Sequence, residues 1–248
     1  MSGRGSWQVV LMKKSGTMHA PEHIALIPDG NRRWARSNKV SLLGGYSLGI
    51  KKFVEFSTWS KQFGVKTITV WALSTENLKN RTGLELKILF DLYTKAAKDR
   101  SIRELLRANN AHLNVIGDMS ALPKKLVAAL KEIEEETRRY GDFTINLLVN
   151  YGGKEDLMYS VRSISSEASE DRGAIGEAEM RDHLRTSSIP DIDLVIRTSG
   201  EMRLSGLLPW QSAYSELYFT KKYWPEFNRD DLRKAVQTYS KRQRRFGK

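Results

Sequence analysis

The sequence predicts an α/β protein: a single domain whose mostly parallel six-stranded sheet is flanked by helices. Three observations carry this expectation. Six short runs rich in β-branched or aromatic residues alternate with longer segments of helical spacing. The runs are apolar almost throughout, as strands buried on both faces are, rather than alternating apolar and polar. No internal repeat and no Pro- or Ser-rich linker divides the 248 residues, a length that buries a sizeable core.

Residues 1–18 carry a short apolar patch ending in two lysines and lack a signal-peptide core. They read as a flexible tail ahead of a domain spanning 19–248. "HIALIPD" (23–29) is the first strand. "LGIKKFVEFSTWSKQFG" (48–64) then places apolar residues at helical spacing and closes on a glycine suited to a helix end. "KTITVWAL" (66–73) is the second strand, and 83–110 reads as a long helix with a break near Asp99. The third strand, "AHLNVIGD" (111–118), precedes a helix over 122–141 that starts at Pro123 and stops at Gly141. The fourth strand, "FTINLLVNY" (143–151), leads into a helical pattern over 154–169. "IDLVIRT" (192–198) and "ELYF" (216–219) complete the sheet, and a helical pattern over 228–246 closes the chain.

Composition narrows the function. A net charge of +12 implies an anionic partner: nucleic acid, anionic lipid headgroups or a phosphorylated small molecule. Much of the excess sits in the terminal "RKAVQTYSKRQRRFGK", which reads equally as a solvated helix end with cations at the negative pole of its dipole. Cysteine is absent, which excludes disulfides and thiol chemistry and fits a reducing cytoplasm. No apolar run approaches the 18 or so residues of a membrane span. The four histidines lack metal-ligand spacing, and neither a P-loop, a dinucleotide fingerprint nor a G-x-S-x-G nucleophile is present.

In a parallel sheet ligands bind beyond the carboxyl ends of the strands, so the polar residues after each apolar run are the place to look. Asp29, Gly30, Asn31, Arg32 and Arg33 follow the first run; Ser74, Thr75, Glu76, Asn77 and then Arg81 follow the second. Asn150 to Gly153 follow the fourth, and Arg197 to Ser205 the fifth. Arginines in three of these segments, with carboxylates beside them, describe a rim for multiply charged phosphate groups. Asp29 reads either as a helix cap or as a carboxylate that meets a diphosphate through a divalent cation, for which Mg²⁺ is the expected ion.

Five ordered segments turn these motifs into a resemblance: "HIALIPDGNRRWA", "WALSTEN", "VNYGGKEDL", "DLVIRTSGEMRLSGLLPWQSAYSELYF" with "WPEF" after it, and terminal "RRFG". The chain resembles the cis-prenyltransferases, the family of undecaprenyl diphosphate synthase, from about His23 to Gly247. The resemblance implies a parallel sheet over an apolar tunnel and a homodimer. It also implies Mg²⁺-dependent prenyl transfer from an allylic diphosphate to isopentenyl diphosphate, giving a cis double bond. Asp29 then matches the essential aspartate that places Mg²⁺, with Glu216 as a second metal-associated carboxylate. Gly30, Asn31, Arg32, Arg33, Trp34 and Arg81 fall on the allylic diphosphate side, Arg81 in a pair with Glu85. Ser74 and Asn77 match polar residues beside the reacting carbons. Arg197, Arg203 and Ser205 match the isopentenyl diphosphate site, and Arg245 and Gly247 an R-x-G element that reaches the partner's site. The lipid product implies peripheral membrane association of a cytoplasmic enzyme.

Three departures from the family pattern stand out: the pair Leu42 and Tyr46, where bacterial members carry Arg and His; Met202, often His; and Pro209, usually another apolar residue. The first pair leaves the preferred donor and the regiochemistry open, so short or irregular products, or another acceptor, stand as an alternative. A nucleic-acid binder is a more distant one, because no RNP-like strand, helix-turn-helix or zinc spacing accompanies the basic charge. A non-catalytic subunit would be expected to lack Asp29, which is present.

Overall fold

The computed structural model describes residues 19–167 and 174–242. Six strands, β1 (His23–Ile27), β2 (Thr67–Ser74), β3 (Ala111–Ile116), β4 (Phe143–Tyr151), β5 (Leu194–Arg197) and β6 (Glu216–Phe219), form one sheet in the order β3-β4-β2-β1-β5-β6. Every neighbouring pair is parallel, so the sheet is wholly rather than mostly parallel. β1 is buried along its whole length, which is why "HIALI" shows no alternation.

Helices α1 (Asn31–Ser37), α2 (Leu42–Gln62), α3 (Thr75–Asn80), α4 (Gly83–Lys98), α5 (Arg100–Ala108), α6 (Lys124–Thr137), α7 (Gly153–Ser166), α8 (Glu177–Asp182) and α9 (Arg229–Lys241) connect the strands. The break near Asp99 is real. Its carboxylate accepts the Ser101 and Ile102 N–H groups and so caps α5 as α4 ends. Two expectations shift. α2 starts at Leu42, six residues before the periodic run, because Ser41 caps it through the Gly44 N–H. The segment after β2, to which sequence reading assigns no element, is helical: Ser74 accepts the Asn77 N–H at 3.0 Å and starts α3.

The strands divide their side chains between two cores. Ile24, Leu26, Ile68, Val70 and Ile145 face the larger one, with α2, α4, α6 and α9. Ala25, Ile27, Trp71, Leu148 and Val195 face a smaller one closed by residues 189–208. The chain runs from β1 to β2 on one side and later returns to place β5 on the other. The carboxyl ends of β2, β1 and β5 therefore open together at a topological switch point.

Candidate active site

β1 ends at Ile27, and Asp29 lies two residues beyond it. Its backbone carbonyl accepts from the Trp224 N–H at 3.0 Å and from the Thr198 hydroxyl at 2.7 Å, so two distant segments fix the turn. Gly30 follows at φ +103°, a left-handed backbone that disfavours L side chains. A β-carbon there would also lie 2.6 Å from the Tyr223 ring and 2.9 Å from Ser199 Cβ. Glycine is required on both counts, and α1 starts immediately after it.

The Asp29 carboxylate is held between two guanidiniums. Arg197, the last residue of β5, donates to Oδ2 at 3.1 Å, and Arg33 lies 3.4 Å from Oδ1. Arg197 is only 5% exposed, so its charge is kept by partners. These are Asp29, the Ser205 hydroxyl at 2.8 Å and the Arg203 carbonyl. Ser205 presents its hydroxyl from a left-handed backbone, as does Ser199, which accepts from Arg33. Glu201 bridges Arg33, at 3.1 Å, and Arg203.

Beneath this charged mouth a cavity of about 1070 Å³ opens between the sheet and the helices of the larger core. Asp29, Gly30, Asn31, Arg32, Arg33, Ser74, Asn77, Arg81, Glu85, Arg197 and Ser205 all border it. Its deeper wall is apolar: Val70 and Leu147 from the sheet, Phe53 from α2, Leu89 from α4, Leu130 and Ile133 from α6. Eleven residues predicted from sequence to form the site are thus gathered around one opening.

Five others are not gathered there. Trp34 lies on α1 outside the cavity lining, and Arg203 is exposed on Glu201. Arg245 and Gly247 lie outside the described residues. Glu216 is not brought to Asp29 within one chain. It is in register with Leu194 and, through it, with Ile24, which lies five positions before Asp29 (29 − 24 = 5). β1 runs only three residues further, to Ile27, so Glu216 lies about 10 Å along the strand direction from the sheet's carboxyl edge, and it bonds Arg242 there. Among the described residues no group of three or more carboxylate or imidazole side chains is arranged to hold a metal. Arg81 does not pair with Glu85 either. Glu85 meets Arg32 at 3.4 Å and the Thr82 N–H, whereas Arg81 lies over the Tyr46 ring.

Sequence reading missed several residues bordering the cavity. Trp224 anchors its indole N–H on the Gly49 carbonyl at 2.9 Å, close to Asp29. Tyr93 donates to the Ala72 carbonyl at 2.8 Å, and burial pushes its hydroxyl up to about 12. Tyr93 occupies a position that helical periodicity assigns to packing, so no local signal marks it; Trp224 opens the "WPEF" segment already noted, without a role having been read from it.

A charged mouth at a strand switch point over an apolar-walled cavity suits an enzyme whose substrates have an anionic head and a hydrocarbon tail. The comparisons agree. A family model described as putative undecaprenyl diphosphate synthase matches residues 27–247. An isoprenyl transferase of Thermotoga maritima is 40% identical over 231 residues, covering 93% of this chain and 98% of that protein. A tritrans,polycis-undecaprenyl-diphosphate synthase (geranylgeranyl-diphosphate specific) of Methanopyrus kandleri is 40% identical over 98% of this chain and 90% of its own. Lavandulyl diphosphate synthase of Lavandula x intermedia, solved with dimethylallyl diphosphate, superposes with a TM-score of 0.86 at 34% identity, covering 92% of this chain and 99% of that one. The chain belongs to the cis-prenyltransferase (undecaprenyl diphosphate synthase) family and is a prenyltransferase.

Proposed function

We propose that the protein condenses an allylic prenyl diphosphate with isopentenyl diphosphate, in a Mg²⁺-dependent reaction that forms a cis (Z) double bond and lengthens the chain. The observation that carries this reading is the continuity of the cation-rich mouth with an apolar cavity of about 1070 Å³. That volume slightly exceeds the ~300–1,000 Å³ usual for small-ligand pockets, which supports a site that takes a prenyl chain as well as its diphosphate.

Each condensation breaks the allylic C–O bond, joins the carbon to the alkene and removes a proton. Arg32, Arg33 and Arg81 are the counter-charges for the departing diphosphate. Arg197, Arg203 and Ser205 hold the diphosphate of the acceptor. Ser74 and Asn77 border the space between, with the Ser74 oxygen already accepting from the Asn77 N–H. The apolar wall keeps water from the cationic centre.

Asp29 fits a Mg²⁺ that arrives with its substrate. One carboxylate shared by two arginines is a poor cage for a bare cation, but Mg²⁺ takes one or two carboxylates together with phosphate oxygens. When bound, the ion supplies charge neutralisation for the leaving diphosphate.

A homodimer follows from the same reading. β6 is a short, half-buried edge strand, and Met158, Val161 and Tyr214 leave apolar surface exposed. Glu216, remote from its own chain's Asp29, together with Arg245 and Gly247, then serves the partner's mouth. No helix among the described residues is long and apolar enough to cross a membrane. A cytoplasmic enzyme that meets the membrane through its lipid product is consistent with that.

The test is incubation with Mg²⁺, labelled isopentenyl diphosphate and, separately, C5, C10, C15 and C20 allylic diphosphates, with products identified by mass and double-bond geometry. A ladder in C5 steps is expected. Single or irregular condensations would overturn chain elongation, and the absence of any product would overturn self-sufficiency.

A further inference from the structure

The ladder between β2 and β4 runs in step from Thr67 opposite Thr144 to Trp71 opposite Leu148, and then breaks. Leu73 lies opposite Val149 and Ser74 opposite Tyr151, so Ala72 is an extra residue in β2 and Asn150 an extra one in β4. Asn150 accordingly takes a left-handed backbone, with φ +50°. The bulge also reverses the alternation of side chains. Trp71 and Leu73 would share a face of a regular strand, yet Trp71 packs in the smaller core and Leu73 in the larger one. Bulges of this kind gather beside active sites, where they re-aim the side chains next to them. Here the next side chain is Ser74.

The bulge is held from across the cavity wall. The Ala72 carbonyl accepts the Tyr93 hydroxyl at 2.8 Å, a bond that joins β2 to α4 over 21 positions of chain. A carbonyl only accepts, so the phenol donates, and burial pushes it up to about 12, which keeps its proton in place. Packing alone would be served by a phenylalanine, because a buried hydroxyl is costly unless it is bonded. Tyr93, Ala72, Ser74 and Asn77 all border the cavity. Ser74 in turn accepts the Asn77 N–H at 3.0 Å, so the bulge, Ser74 and the start of α3 form one connected unit.

We propose that Tyr93 is a positioning residue for prenyl transfer: its hydroxyl pins the Ala72 carbonyl and thereby sets where Ser74 and Asn77 stand in the reaction space. This rests on the prenyl-transfer reading above. The hydroxyl is spent on a backbone carbonyl, whereas the mouth cations Arg33 and Arg197 are held by their own partners around Asp29. Its loss therefore displaces the reacting geometry and leaves diphosphate binding in place.

Tyr93→Phe removes the hydroxyl and keeps the ring. The expected result is a kcat lowered about tenfold, since a small misplacement of reacting groups is costly, with both KM values within about threefold of wild type. Ser74→Ala is expected to lower kcat as well, and adding Tyr93→Phe to it to lower kcat no further, because the two residues act as one unit. Hydrogen exchange without substrate gives a readout independent of turnover. Amides of 72–77 are expected to exchange faster in Tyr93→Phe, and those of β1 to stay protected. Unchanged exchange over 72–77 would overturn the proposal, as would a kcat per folded molecule equal to wild type beside a lowered melting temperature. A Ser74→Ala protein as active as wild type, or losses that multiply in the double variant, would overturn the route through Ser74. A wild type that makes no prenyl product from any donor would instead overturn the prenyl-transfer reading, and the exchange comparison would still decide whether Tyr93 holds the bulge.

Discussion

The sheet carries two polar assemblies, one at each end of its strands, and they differ in whether they are complete. Near the amino end, His23 of β1, Thr69 of β2, Asn146 of β4 and Asn114 of β3 form a chain across four strands. His23 Nδ1 faces the Pro190 and Asp191 carbonyls at 3.0 and 3.2 Å, so it carries the proton and Nε2 accepts. The Thr69 hydroxyl therefore donates to Nε2 at 2.8 Å and accepts from Asn146 at 3.1 Å, while Asn114 donates to the Asn146 carbonyl oxygen at 3.2 Å. At the carboxyl end, Asp29, Arg33 and Arg197 also interlock, but Arg197 keeps an unpaired Nε and the nearby Arg81 Nε and Tyr46 hydroxyl have no partner. A satisfied network rigidifies the fold, whereas an unsatisfied one beside a cavity is poised for a ligand. Polarity and burial alone would not have separated the two.

Asp29→Ala gives the largest expected effect and tests the carboxyl-end assembly. Turnover is expected to fall by at least roughly 10²–10³, the scale for removing one preorganised electrostatic group, with the circular dichroism spectrum unchanged. Near-normal turnover in a prenyl-transfer assay would remove Asp29 from the mechanism.

The opposite assembly is expected to show itself in stability against pH. Burial holds His23 down at about 4, against 6.5 when unfolded. Between these values the unfolded chain binds the extra proton, so stability rises with pH. The contribution is complete above about 6.5 and is lost as pH falls to about 4, on the order of 3 kcal/mol in all. Urea unfolding of His23→Gln and wild type across this window checks the sign. A slope equal in both proteins would mean that His23 is not buried neutral.

Thr69→Val sharpens the contrast further. It strips a partner from both His23 and Asn146, and an expected loss of about 2 kcal/mol follows, read by denaturant unfolding, with kcat per folded molecule unaltered. A fall in kcat with no change in stability would reverse the distinction between the two ends.

The smallest effect belongs to Arg32 and Glu85, an ion pair at 3.4 Å whose arginine side chain is 54% exposed. Glu85→Gln is expected to shift stability by less than about 0.5 kcal/mol, a null result that thermal unfolding can establish.

Much of this was legible in the sequence because it depends on local chemistry. Apolar runs without alternation announced buried parallel strands, and all six begin within two residues of where they were expected. Asp99 marked a helix boundary through capping and Pro123 through its fixed φ, and the Asp29–Arg33 segment announced an anion site through charge next to a strand end. Ser74 was less transparent, since its capping role and the short helix it begins depend on one hydrogen bond that composition does not reveal.

What the sequence determined alone is the inventory: which strands are buried, where they stop, and which charges wait beyond their ends. Only the tertiary structure decided the pairings. Arg197 reaches Asp29 across 168 positions of chain because β5 lies beside β1. Tyr46 meets Arg81 because α2 and the end of α3 border one cavity. Glu216 is held away from Asp29 by the register of β6. Periodicity and capping act over a few residues, whereas strand order and register arise from packing the whole sheet. The groups left unsatisfied are therefore visible only once every element is in place.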